Sequence, residues 1–459
     1  MIREPAQEAK ERPRRTGAGA RPLLGLARVL ALIGGLSAAA IGILVAGLSI
    51  LSALFQGREP LVTMVTFSLS IVVVSVGLGL VVAWQALRAM QGHPSRSFRP
   101  PRAWPLVVLF GLAVAVGQLV LSLDLLPVVT FPPFHILAAA LPPLFVLAVV
   151  GRALAGKASW REMILQVSSG ALLSVPLAFV LEGVLIVGLV LLVFLGVALS
   201  PGGEEMIQRL SDLLQTAPAL EDPEALAGAM RSPLVILAVT AVVAGAVPLI
   251  EEAVKTLGVP LLVYRRPGAS QAVLWGLAGG AGFALVEGLL NTLGGLQGWA
   301  LVVVVRLGAT LLHCLTGALM GLAWYEGLRR RRGWRMLGLY AGSVAIHAFW
   351  NVLSVGVTFL SLGATGPEAS STAVLLSGLS LGLVAGLIVT ALVLSLGLAG
   401  LIRYVRRHDP AAARAAPAMA VAGADAPLVL SPAAIEPGPE ASEAWLDLDP
   451  DGSRPLLED

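Results

Sequence analysis

Long apolar runs dominate this chain, separated by short clusters of charge. Ten runs stand out, at 23–55, 61–87, 104–126, 133–151, 162–199, 233–264, 270–292, 299–327, 336–361 and 371–402. Each is close to or above the ~20 residues that a helix needs to cross a bilayer. The alternating short strands of an outer-membrane barrel are absent. Backbone polar groups in hydrocarbon must be satisfied within their own segment, so the runs predict helices. The expected fold class is all-α, a polytopic membrane bundle of about ten transmembrane helices. The fifth run is long for one crossing and contains Pro176 and Glu182. A tilted or kinked helix is expected there.

The charge between the runs predicts an orientation. Lys10, Arg12, Arg14, Arg15 and Arg21 precede the first span, and every second loop is basic: Arg88 to Arg102, Arg152 to Arg161, Arg265 and Arg266, Arg329 to Arg335, and Arg403 to Arg407. The alternate loops hold only Arg58, Arg209 and Arg231. Basic loops stay in the cytoplasm, so both termini are expected inside, as an even number of spans also requires. The chain then divides into a basic tail (1–22), five helices (23–199), an acidic external loop (200–232), five further helices (233–403) and a disordered tail (404–459) rich in Ala, Pro and acidic residues. Within the loop, MIQRLSDLLQ reads as a short amphipathic helix.

Composition narrows the class. The chain is 57% hydrophobic and 13% charged, with mean hydropathy +0.86; a soluble domain carries about 25% charged residues. The first run is too long for a cleavable signal peptide and reads as a span. The single cysteine, Cys314, excludes an intramolecular disulfide and any Cys-rich metal site. Abundant Ala, Gly, Pro and Arg with scarce Lys suggest a GC-rich bacterial genome, and hence a bacterial cytoplasmic membrane. No nucleic-acid partner is expected; lipid is.

Against this apolar background, a few ionisable residues lie inside spans. Glu251 and Glu252 are adjacent in the sixth, with Lys255 one turn on. A charge at mid-membrane costs about 2.5–3.5 kcal/mol on insertion scales, so such residues mark function by default. Glu252 lies 13 residues before Arg265, His313 16 before Arg329, and His347 12 after Arg335. At 1.5 Å per residue these are depths of roughly 20, 24 and 18 Å. Three helices thus place a carboxylate and two imidazoles in one layer. Glu287 and Arg306 fall in a second layer nearer the outside, as natural salt-bridge partners. His347 and Asn351 share one helix face, as do Glu251 and Lys255. One glutamate can be neutralised by Lys255 and Arg306, leaving the other for general-base work on water.

In this order, IEEAVK, GLAGGAGFALVEG, RLGATLLHCLTGALMG and IHAFWN resemble the four motifs of the PrsW family of intramembrane proteases. That family is related to the CAAX prenyl endopeptidases and bacteriocin-processing peptidases. Glu251, Glu252 and Lys255 match its EExxK; Phe283 and Glu287 its GxGFAxxEN; Arg306 and His313 its third motif; His347, Trp350 and Asn351 its HxxWN. Gly288 stands where the family often has Asn, with Asn291 nearest, and SQAVLWG replaces a frequent Asp-Gly. The resemblance covers about 233–361 and implies an endopeptidase domain at 233–403. Its substrate would be a membrane-anchored protein, such as a signalling regulator, or a peptide precursor.

Two mechanisms fit these residues. In one, His313, His347 and a glutamate hold Zn²⁺, whose water attacks the peptide. In the other, no metal is needed: Glu251 or Glu252 activates water, and His347 with Asn351 stabilises the oxyanion. The absence of HExxH, and ligands drawn from separate helices, favour the second. An ion-coupled transporter would also use intramembrane Glu, His and Lys, but no inverted repeat supports one. Glu182, Asp124 and His135 read as structural, and Cys314 as a small apolar filler.

Overall fold

The computed structural model describes residues 20–56, 61–154, 158–199, 233–262, 267–364 and 371–409, with isolated positions 156, 205 and 208. Among them, ten helical stretches are long and apolar enough to cross a membrane, and they coincide with the ten runs read from sequence. Apart from positions 205 and 208, the 200–232 loop with its amphipathic segment, the tail from 410 onward, and the loop charges Arg58, Lys157, Arg209, Arg231, Arg265 and Arg266 lie outside the described residues. The start of the expected disordered tail is a correction: residues 404–408 continue the last helix, which ends at His408.

The helices are α1 (Ala20–Gln56), α2 (Leu61–Met90), α3 (Ala103–Ser122), α4 (Pro127–Leu154), α5 (Trp160–Ser168), α6 (Val175–Ala198), α7 (Pro233–Thr240), α8 (Val247–Val254), α9 (Gly258–Leu262), α10 (Ala269–Asn291), α11 (Trp299–Trp324), α12 (Gly333–Ala364) and α13 (Ser371–His408). Two spans are interrupted by a π-helical turn between α-helical pieces, and a third ends in one, Tyr325–Arg329. A π-helical turn, Ser169–Ser174, joins α5 to α6, and another, Ala241–Ala246, joins α7 to α8. Each ends just before a proline, Pro176 or Pro248. A proline lacks an N–H and its ring collides with the carbonyl four residues back, so the chain widens locally. The expected irregularity of the fifth span therefore takes the form of a π-turn.

The second π-turn leaves one carbonyl without a helical donor. The Val247 N–H bonds to the carbonyl of Val242. The donor five residues beyond Val243 would be Pro248, which has none. The Asn351 amide of α12 fills that vacancy, donating to Val243 O at 2.8 Å. Tyr340 of α12 donates to Leu249 O at 2.7 Å. These bonds lock the helix carrying His347 against the helix carrying both glutamates.

α10 is the central helix, buried along nearly its whole length. Its glycines allow neighbouring backbones to touch it. A Cβ on Gly317 of α11 would meet the Gly276 carbonyl at 2.6 Å, and one on Gly280 would fall on the His313 carbonyl. Close approach of this kind is the usual role of small residues in membrane packing. It sets Glu287 and His313 on facing helices. At the start of α10, the N-cap Gly268 offers no side chain, and Asp409, just beyond α13, accepts from Ser270 N at 3.0 Å instead.

The orientation read from loop charge has a direct check. Reporters fused after Gly202 and after Asp409 are expected on opposite sides of the membrane, the second in the cytoplasm. The same side for both would overturn the topology.

Candidate active site

Glu252 and Lys255 are fully buried and ion-paired with each other. Lys255 is also within 3.3 Å of Thr316 Oγ1 and lies 5.1 Å above the centre of the Phe283 ring. Glu252 Oε1 accepts from His347 Nδ1 at 2.8 Å. A second chain of contacts runs parallel to it. Arg306 Nη2 pairs with Glu287 Oε1 at 3.1 Å, and Glu287 Oε2 lies against His313 Nε2. Asn291 Nδ2 donates to the same Glu287 Oε1 at 2.9 Å, so it supports this carboxylate from one turn away. Each imidazole is thus held by a carboxylate, and each carboxylate by a cation. The two rings stand edge to face, 5.2 Å apart.

Glu251 is in a different position. It lines a cavity of about 290 Å³ with Glu182, Glu287, Arg306, His347 and Asn351, which Glu252 does not reach. Its Oε2 is buried without a hydrogen-bond partner and lies 3.7 Å from His347 Nε2. The Nδ1–H of His347 is committed to Glu252, so Nε2 of the neutral ring presents a lone pair. Two acceptors therefore face each other, an arrangement that calls for a cation or a proton between them.

Glu251, His313 and His347 each offer one ligand atom, all within 4.8 Å of one another and all from buried residues. Tetrahedral zinc with bonds of about 2.0–2.1 Å separates its ligands by about 3.3 Å, near the 3.7 Å of Glu251 and His347. The donor set, two imidazoles and a carboxylate, is one that zinc enzymes use, and carboxylates behind the imidazoles are the usual supporting groups. The residues fit a divalent metal.

All eight residues singled out in the sequence meet here, with two revisions. The two layers inferred from depth are one: Glu287 reaches His313 directly. Glu182, set aside as structural, stands in the cavity wall. The signal was present, a lone carboxylate within a span, but nothing in its neighbourhood reinforced it. His135 is structural as expected: Trp299 Nε1 donates to its Nδ1 at 3.2 Å, and its Nε2 bonds the Leu289 carbonyl at 3.0 Å. Cys314 is buried in the apolar core.

Burial makes the Glu252–Lys255 pair costly to break. Glu252→Gln or Lys255→Met alone is expected to destabilise the protein by about 3–5 kcal/mol, because a buried charge loses its partner. The double variant should recover much of this, as thermal unfolding in detergent would reveal; equal losses in all three would remove the coupling.

An all-helical, many-span protein with a buried carboxylate–imidazole centre beside a cavity fits a membrane-embedded enzyme of the hydrolase type. The particular assignment follows from comparison with known families. Residues 158–376 match the model of the PrsW family intramembrane metalloproteases, which supports that family for this part of the chain. The match takes in the fifth span as well as the four motif helices. No curated protein and no solved structure matches the chain.

Proposed function

We propose that this protein is an endopeptidase that hydrolyses a peptide bond of a membrane-anchored protein or peptide precursor, inside the bilayer. The convergence of Glu251, His313 and His347 from three helices, beside one cavity, carries this reading. The catalytic unit begins at the fifth span, whose α6 supplies one cavity wall. Both termini face the cytoplasm of a bacterial cell.

Glu251, His313 and His347 would hold the metal ion, which would supply Lewis-acid polarisation of the scissile carbonyl and a more acidic water. The sequence preference for a metal-free glutamate mechanism rested on the missing HExxH and on ligands drawn from separate helices; the grouping of Glu251, His313 and His347 supports the metal reading instead. The protein's own groups do the remaining work. Glu252 and Glu287 fix the orientation of the two rings. Glu251 takes the proton of the attacking water and returns it to the leaving amine, since a carboxylate has two oxygens and one can face the ion. The Arg306–Glu287 pair lines the cavity, and its carboxylate holds His313. Asn351 keeps α12 in register through Val243.

Co-expression with single-span bacterial membrane proteins tests the proposal. The wild type should cleave at least one, and His313→Ala or His347→Ala should not. Normal cleavage by both, with a proton- or ion-driven flux lost, would make the protein a transporter.

A further inference from the structure

Among the described residues, Glu182 is the one charged group of the cavity with no partner. Its Oε1 is buried without a hydrogen bond, and no ion pair reaches the residue. Glu287 has Arg306, at 3.1 Å, and Arg306 is the sole guanidinium lining the cavity. Glu251 has an unpartnered oxygen too, but it belongs to the metal-fitting group, and Glu182 does not. The cavity wall therefore carries three carboxylates and one arginine. A carboxylate at membrane depth without compensation is costly to keep.

The surroundings of Glu182 indicate what would compensate it. Val175, Ala178 and Phe179 of the same helix line the cavity beside it. An apolar wall ending in a carboxylate suits a long aliphatic stem with a cationic head. A volume of about 290 Å³ is at the small end of ligand pockets, with room for one side chain and not for a second helix. The π-turn Ser169–Ser174 inserts an extra residue before α6, which rotates all that follows by about 100° and so helps bring Glu182 to the cavity.

We infer that Glu182 is a specificity-determining residue that receives a lysine or arginine side chain of the substrate next to the scissile bond. The inference rests on the peptidase reading above and deepens it.

A library of single-span membrane proteins, randomised around the cleaved region and co-expressed with the protease, tests this when cleavage sites are read by mass spectrometry. Wild-type cleavage should be enriched in Lys or Arg at one flanking position on the order of tenfold, the size expected of a charged hydrogen bond. Glu182→Gln should abolish the enrichment, Glu182→Asp should keep part of it, and Glu182→Lys should shift it to Asp or Glu. No basic enrichment in the wild type, or one unchanged in Glu182→Gln, would overturn the inference alone. No cleavage of any library member by the wild type would overturn the peptidase reading instead. Should Glu182→Gln be inactive, cross-linking in the Glu251→Gln background decides. Lysine-bearing spans should be captured in preference to norleucine-bearing ones, and adding Glu182→Gln should erase the difference; equal capture before that addition would refute the role.

Discussion

Glu251→Gln is expected to lower kcat by about 10²–10⁴-fold, the range for loss of a positioned acid–base group, while leaving the helical bundle as stable as before. The two halves of this expectation have separate physical grounds. The amide cannot take a proton from water, and it is a poor metal ligand. The substitution also breaks no hydrogen bond of Oε2, because that atom has none. Glu252→Gln contrasts with it, since Glu252 holds both Lys255 and the Nδ1 of His347. That variant should lose stability along with activity. The two glutamates, adjacent in sequence, are therefore separable by measuring turnover and thermal unfolding on the same preparations. Normal turnover in Glu251→Gln would remove it from the reaction.

The second large effect concerns the metal. Purified protein should carry about one divalent ion per chain, and metal binding should weaken in acid because protons compete with the ion for its ligands. A strong chelator should abolish cleavage, and adding Zn²⁺ back should restore it. His313→Ala and His347→Ala should each drop the metal content well below one. This last measurement does not depend on a substrate. A stripped enzyme that keeps its rate on a short peptide would return the chemistry to Glu251 alone, with His347 and Asn351 facing the oxyanion.

How far the site was legible in the sequence depended on the kind of signal. Glu251, Glu252, His313 and His347 stood out because charge inside an apolar run is rare, and their depths could be counted from the arginines that flank the runs. The Glu287–Arg306 pair was legible for the same reason, and the structure holds it at 3.1 Å. Depth along an axis says nothing about rotation around it. The sequence therefore could not decide which of two adjacent glutamates faces the cavity, and it separated Glu287 from His313 by layer although their side chains touch. Rotation also hid Glu182. A π-turn shifts the facing of everything beyond it, and hydropathy does not register one extra residue in a turn.

The sequence by itself determined the class of fold, the ten spans and the identity of the chemical groups. Hydrophobic length and the cost of unpaired backbone in lipid admit few alternatives to a helical bundle. Tertiary structure decided the partnerships: Glu252 with Lys255 and His347, Glu287 with Arg306 and His313, and Glu251 left open to the cavity. Those depend on how helices turn about their axes. That rotation is set by the glycine contacts of α10 and by the prolines that force π-turns, through close packing between segments distant in the chain.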